Sequence, residues 1–289
     1  MNLNGISKNV KSVKNYLNLT KFFFSIISII FLVPIFLILA SLFDGYSATW
    51  EHLIQTVLAE YISNSLLLVC GVSFGVFILG VSTAWLVTAC DFKGKGFFKW
   101  SLILPLSIPP YIMAYAFTGL FDSSGSMNTI IQSIFNLDSS YIFFPSVRNV
   151  PGAIIIFSFT LYPYVYLISQ TAFVNLSRDV FDTARTLGLS KKETFLQLAL
   201  PLARPAIIAG LMIVAMETIS DFGAVEHFAI PTFTTGIFRA WFGMNDITTA
   251  KQLAALLFIL FLFFLIIEKY SRKKIKFNQE IDQLIFAGD

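Results

Sequence analysis

Two carboxylates stand four residues apart at the end of a long apolar stretch. Glu217 and Asp221 lie in "METISDFGAVEHF", residues 216–228, which follows "AIIAGLMIVA". A spacing of four brings both side chains onto one helix face, where like charges repel mildly. An acid inside a bilayer is costly, so it faces a cavity or a partner rather than lipid. Because hard cations prefer oxygen ligands, the pair predicts part of a cation pathway or gate.

The depth of these acids separates their possible roles. Counted from Arg204 at about 1.5 Å per residue, Glu217 lies roughly 20 Å along the helix and Asp221 roughly 26 Å. Glu217 is then at hydrocarbon depth, and Asp221 approaches the outer interface. The structural alternative is that Glu217 hydrogen-bonds to a neighbouring helix and that Asp221 caps the outer helix end before Gly223.

Other chemistry has little support in the sequence. The G-x-x-x-x-G-K-[ST], G-x-S-x-G, H-E-x-x-H and dinucleotide-binding patterns do not occur. Cys70 and Cys90 would lie about 30 Å apart along one helix, too far for a disulfide. His52 and His227 have no metal-ligand spacing to each other or to a cysteine. We therefore expect a non-catalytic chain that itself holds no metal or cofactor.

The composition predicts an all-α integral membrane protein. Of the 289 residues, 56% are hydrophobic and 13% are charged, and the mean hydropathy is +0.75. A membrane-spanning helix needs roughly 20 mostly apolar residues. Six transmembrane helices are predicted, at about residues 22–43, 62–90, 99–121, 150–173, from near 204 onward, and 253–267.

The distribution of Lys and Arg predicts the orientation. With the N-terminus in the cytoplasm, 17 of the 20 Lys and Arg residues lie on the cytoplasmic side, where positive charge is retained. The outer side then holds Arg148, Arg239 and Lys251. Both termini are therefore predicted to be cytoplasmic. Since the basic residues stand in short loops beside the spans, the net charge of +3 reflects topology, and we expect no nucleic-acid partner.

Four parts follow from these spans. Residues 1–21 are predicted to be a cytoplasmic tail, 22–59 the first transmembrane helix with an outer loop, 60–268 the main transmembrane domain, and 269–289 a cytoplasmic tail. The first helix is interpreted as an uncleaved anchor rather than a signal peptide, because its 22 residues exceed a typical signal-peptide core.

Two patterns within the spans concern packing. "GVSFG", residues 71–75, is a GxxxG pattern, which either allows close helix approach or only reflects tolerance of small residues. Pro105, Pro109, Pro110 and Pro163 remove backbone donors inside predicted spans. Broken helices of this kind favour a transporter over a simple anchor.

The cytoplasmic segment 174–205 is predicted to hold two short helices. The first begins after Ser177 and ends at Gly188. Ser190 and Glu193 form an S-x-x-E capping box for the second, which Pro201 and Pro205 are expected to interrupt before the next span. The pair either lies on lipid headgroups or docks a soluble partner.

"DTARTLGLSKKETFLQLALP", residues 182–201, resembles the EAA loop of MetI-like, type I ABC-importer permeases. The positions that match the motif are Asp182, Ala184, Gly188 and Pro201. Asp182 replaces the usual Glu and Thr183 replaces an Ala. The resemblance implies that 174–205 is a coupling loop that inserts into a cleft of a separate ATPase subunit, which binds the ATP. Six spans with both ends inside fit the type I importer transmembrane fold.

Residues 60–268, including "ILPLSIPPYIMAYAF" and the motif with Glu217 and Asp221, resemble the N-terminal half of iron(III) ABC permeases. This resemblance implies an inner-membrane permease subunit that imports iron(III) by alternating access. The implied partners are ATPase subunits, an extracytoplasmic binding protein, membrane lipid and a second permease half. Those permeases usually fuse two halves, so the second half here is either another gene product or a second copy.

Two alternatives to iron(III) import remain open. A type I importer for sulfate, thiamine or a polyamine would share the EAA loop. An ion-coupled secondary transporter would use Glu217 as a proton site.

Overall fold

The computed structural model describes residues 3–138, 141–176, 184, 186 and 188–286, and all regular structure among them is helical. The all-α prediction is confirmed. The helices are α1 (Leu3–Ala40), α2 (Ala48–Thr56), α3 (Leu58–Ala89), α4 (Lys95–Ser101), α5 (Pro110–Phe121), α6 (Ser126–Phe135), α7 (Val150–Asn175), α8 (Lys191–Thr194), α9 (Leu200–Ser220), α10 (Gly223–His227), α11 (Phe233–Phe238) and α12 (Ile247–Phe286). Helical backbone in α1 and α12 extends into both predicted tails.

Five helical segments are long and apolar enough to cross a membrane, or six if one bent pair counts as a single span. The five are Lys21–Phe43, Leu58–Ala89, Val150–Asn175, Lys191–Ser220 and Ile247–Ile266. The bent pair, Lys95–Ser107 and Pro110–Phe135, turns by 97° within the predicted third span. Ile108 is extended there because a residue before proline avoids the helical region, and two prolines follow it. The expected break is present at Pro109 and Pro110, whereas Pro163 lies inside the continuous helix α7.

Helix α7 lies at the centre of the helix bundle. Most of its span is buried, whereas α1 is exposed along its span. It packs against α3 and α9 along its length and against α5. Phe157, Val165 and Tyr166 of α7 are almost fully buried in the main hydrophobic core.

The approach of α3 to α7 depends on glycines. Gly71 and Gly75 lie against side chains of α7, which would have to shift to admit a methyl group. A Cβ added at Gly80 would come within 2.8 Å of the Val165 Cβ and 2.9 Å of the Tyr162 carbonyl oxygen. The close-packing interpretation of the GxxxG pattern is therefore the one that the structure shows.

We expect Gly80→Ala to lower the stability of the chain by about 1–3 kcal/mol, because the new methyl meets backbone that cannot rotate away. The measurement is the thermal unfolding midpoint in detergent. Gly119→Ala is the matched control, since a Cβ there meets nothing within 4 Å. Equal midpoints for the two variants would contradict the close contact at Gly80.

Asp246 ties the outer start of α12 to the start of α2. Its carboxylate accepts hydrogen bonds from the Thr249 backbone N–H at 3.0 Å, the Thr249 hydroxyl at 2.9 Å and the Ser47 hydroxyl at 2.7 Å. Ser47 also accepts from the Trp50 N–H and so caps α2. Burial alone would raise the pKa of Asp246, but these hydrogen bonds outweigh it and lower the pKa to about 2.

This lowered pKa predicts acid sensitivity. Above pH 3.8, the ordinary value, the ionised Asp246 stabilises the fold fully; as the pH falls towards about 2, that contribution is lost. The unfolding midpoint of the wild type in an uncharged detergent should therefore fall more steeply over this range than that of Asp246→Asn. Asp91→Asn, at a fully exposed side chain, is the control and should keep the wild-type slope. Identical slopes for Asp246→Asn and wild type would refute the role of Asp246.

Candidate functional site

In the cytoplasmic segment between α7 and α9, a first helix ends at Gly188. Asp182 and Thr183 lie outside the described residues. Ala184 is buried, and its carbonyl accepts a hydrogen bond from the Leu189 N–H at 3.0 Å. Gly188 has φ +72°, in the left-handed region that favours glycine. This six-residue closure around a left-handed glycine is typical of a Schellman cap, and the predicted helix stop at Gly188 is confirmed.

The second helix of the segment starts with the predicted capping box. The Ser190 hydroxyl oxygen accepts from the Glu193 N–H at 3.3 Å, and the Glu193 carboxylate accepts from the Ser190 N–H at 2.8 Å. The Ser190 hydroxyl donates to that same carboxylate at 2.6 Å. Thr194 is buried, and its hydroxyl donates to the Ser190 carbonyl at 3.0 Å. These contacts satisfy the free backbone groups at the start of α8 and so stabilise it.

The expected interruption by Pro201 and Pro205 is wrong. α8 continues through a π-helical turn, Phe195–Ala199, into α9, and residues 191–220 form one span. In this turn the Leu200 N–H bonds to the Phe195 carbonyl, five residues back. The wider turn makes room for the ring of Pro201, which lies in the first turn of α9. Pro205 is tolerated inside α9.

An aromatic cluster joins this segment to two spans. The Trp85 ring, near the inner end of α3, lies 5.5 Å from Phe173 of α7 and 5.0 Å from Phe195, between ring centroids. Phe173 and Phe195 are 6.3 Å apart. We call Trp85, Phe173 and Phe195 the inner aromatic cluster. The sequence analysis missed it, because these residues are far apart in the chain and aromatic residues are common throughout it.

Glu217 lies on a face of α9 that the described residues leave exposed. Its side chain is exposed, and its carboxylate accepts no hydrogen bond from the part of the chain that the structure describes. Tyr164 of α7 lies close enough to interact with it electrostatically. Ile213 and Ser220, one helical turn away on either side, are exposed as well. A hydrogen bond from Glu217 to a neighbouring helix, the structural alternative, is not seen among the described residues.

Asp221 has structural contacts instead. Its carboxylate accepts from the backbone N–H groups of Ala224 at 2.9 Å and Val225 at 3.2 Å, and so it caps α10. Its carbonyl accepts from the Thr234 hydroxyl at 2.7 Å. Half-buried in this way, Asp221 has the capping arrangement that was its structural alternative. The two acids, four residues apart in the sequence, thus have different surroundings.

Helix α10, which holds the rest of the motif, packs against α5 of the broken span. The His227 Nε2 is 2.8 Å from the Thr118 hydroxyl, and the His227 ring lies 3.9 Å from the Tyr115 ring, between centroids. Gly223 packs closely on Tyr111. Within the described residues no group of three His, Cys, Asp or Glu side chains is placed to hold a metal ion. Among the described residues, the Glu217 carboxylate is thus exposed without a second acid or histidine placed to complete a metal site with it.

Residues 76–276 match the family described as binding-protein-dependent transport system inner membrane component. The chain belongs to this family. It is an ABC importer permease of the bacterial inner membrane, and its multiple apolar helices fit that location. The resemblance to the type I importer permeases is confirmed at this level.

Permeases that are named for different substrates are similar in sequence to this chain. The chain is 28% identical over 240 residues to the Fe(3+)-transport system permease protein FbpB 2 of Haemophilus influenzae, covering 83% of this chain and 43% of that relative. It therefore spans less than half the length of FbpB 2. It is 26% identical over 208 residues to the molybdenum permease ModB of Escherichia coli, covering 71% of this chain and 86% of ModB.

The fold is shared with solved transporters. A chain of a bacterial alginate ABC transporter, solved in complex with an alginate-bound periplasmic protein, superimposes with a TM-score of 0.71 at 18% identity. The match covers 93% of this chain and 97% of that one. At this identity the similarity concerns the fold.

Proposed function

We propose that this ABC permease carries iron(III), delivered by an extracytoplasmic binding protein. The observation that carries the proposal is the Glu217 carboxylate, which is exposed within the apolar span 191–220 on a helix face that the described residues leave uncovered. A carboxylate in such a position needs a cavity, a partner or a cation. Its oxygens suit a hard trivalent ion. The similarity to FbpB 2 supports the same substrate.

The charge of the outer side supports a cation over an oxyanion. Eight acids lie in the outer segments, against three basic residues; the acids are Asp44, Glu51, Glu60, Asp122, Asp138, Asp221, Glu226 and Asp246. Each basic residue is close to an acid. The distances are 3.2 Å for Arg148–Asp122, 3.8 Å for Lys251–Asp44 and 3.9 Å for Arg239–Glu226. An acidic entrance attracts cations and repels molybdate-like anions.

The proposed transport cycle needs three partners. ATPase subunits bind ATP and dock on the coupling segment, residues 184–194. A second permease half, from another gene product or a second copy of this chain, covers the α9 face that presents Glu217. The binding protein docks on the outer side. Closure of the ATPase subunits then displaces the coupling segment, and the spans alternate between outward and inward access.

We expect Glu217→Ala to lower binding-protein-dependent ⁵⁵Fe(III) uptake into proteoliposomes about tenfold, equivalent to about 1.4 kcal/mol, because the cation loses an anionic contact. Glu217→Asp should recover part of the uptake. Ser220→Ala, an exposed neighbour on α9, is the matched control. Normal uptake by Glu217→Ala with intact assembly would refute the pathway role of Glu217 and indicate a structural one. Transport of molybdate or spermidine instead of iron(III) by the wild type would refute iron(III) as the substrate.

The left-handed conformation of Gly188 provides a test of the coupling segment. Gly188→Ala should weaken ATPase co-purification, because a Cβ in this conformation costs about 1–2 kcal/mol. Gly188→Pro should abolish it, since proline cannot adopt φ +72°. Gly188→Asn is the control and should retain binding, because asparagine tolerates this region. Full ATPase binding by Gly188→Pro would refute the coupling assignment, and vanadate-insensitive uptake would favour a secondary transporter.

A further inference from the structure

The inner aromatic cluster occupies the junction between the coupling segment and the bundle. Phe195 follows directly after α8 and is the first residue of the π-helical turn. Its ring reaches Trp85, four residues before the end of α3, and Phe173, two residues before the end of α7. The Phe195 ring, directly after the coupling segment, thus contacts α3, which is distant in sequence, and α7, which precedes the segment.

The cluster is packed tightly enough to transmit a displacement. Phe173 is 1% exposed and Trp85 is 9% exposed, so neither ring can move into solvent when its neighbour moves. Aromatic pairs with centroids 4.5–7 Å apart make favourable contacts, and packed cores shift between discrete arrangements rather than deforming continuously. Phe195 is joined to α8 by continuous helix, and the capping box holds α8. Movement of α8 therefore moves the Phe195 ring against both partners.

The π-helical turn gives this junction a second property. Single π turns inside helices occur frequently at functional sites, since the wider turn is less regular than the α-helix around it. Here the turn lies between α8 and α9, so the Phe195 ring stands at the boundary between the capped helix α8 and the span that presents Glu217. A displacement of α8 then reaches the rest of the bundle through the contacts of Phe195 with α3 and α7.

We propose that the inner aromatic cluster is the mechanical joint that transmits displacement of the coupling segment to α3 and α7, with Trp85 as its positioning residue. The proposal rests on the proposed ABC coupling and names the residues that carry it inside this chain. Trp85 acts on transport through Phe195 and touches neither substrate nor ATP. Its loss should therefore separate ATP hydrolysis from transport.

The test uses the assembled transporter, with its ATPase subunits and second permease half, in proteoliposomes. Trp85→Leu should keep ATPase co-purification and basal ATP hydrolysis, because the docking segment is unchanged. The number of ions taken up per ATP hydrolysed should fall by at least about fivefold, the low end of the range for energetic coupling between sites. Trp85→Phe should restore most of the ratio, since a ring again fills the site.

Phe157→Leu is the matched control, because Phe157 is a buried aromatic of α7 outside the cluster. It should lower thermal stability and leave the ratio of uptake to hydrolysis unchanged. If Trp85→Leu does not accumulate, Phe195→Leu gives the same readout at a half-buried position.

The proposal would be refuted if Trp85→Leu or Phe195→Leu kept the wild-type ratio of uptake to ATP hydrolysis. It would also be refuted if Phe157→Leu lowered that ratio equally. Failure of the proposed function would look different: the wild type itself would then lack ATPase binding or vanadate-sensitive uptake.

Discussion

The main hydrophobic core depends on how closely α3 and α9 approach α7. Both contacts converge on Val165, which is fully buried. A Cβ at Gly80 of α3 would meet the Val165 Cβ at 2.8 Å, and one at Gly210 of α9 would meet the Val165 Cα at 3.2 Å. In a bilayer, where lipid is as apolar as the side chains, packing of this kind drives helix association. The two glycines thus set the spacing of the three central spans.

Helix α9 connects the inner and the outer end of the molecule. α9 begins beside the inner aromatic cluster and ends at Asp221, which caps α10, so one helix runs from the coupling segment to the outer acids. The π-helical turn allows the helix to continue past Pro201, where a regular α-helix would clash. As a result, Glu217 sits on the same continuous span as the segment proposed to meet the ATPase.

The fold by itself is compatible with several substrates. Relatives named for iron(III) and for molybdenum match this chain at similar identity, 28% and 26%. Function resides in side chains placed on a shared scaffold. In the function that we propose, those side chains are the exposed Glu217 and the acidic outer segments, whose charge favours a cation over an anion.

Features that depend on neighbouring residues could be predicted from the sequence. The membrane class follows from composition, the spans from hydropathy, and the orientation from the asymmetry of Lys and Arg. The helix stop at Gly188 and the capping box of Ser190 and Glu193 are local too, because a cap is formed within a few residues.

The tertiary structure decided what depends on contacts between distant segments. It showed that Pro201 and Pro205 lie within a continuous helix, because the π-helical turn absorbs the first of them. It separated Glu217 from Asp221, since only Asp221 faces free backbone N–H groups. It also brought Trp85 to Phe195, over a hundred residues away in sequence. Hydropathy fixes which residues cross the membrane, but only packing determines which helix faces meet, because burial between helices and burial in lipid select the same apolar residues.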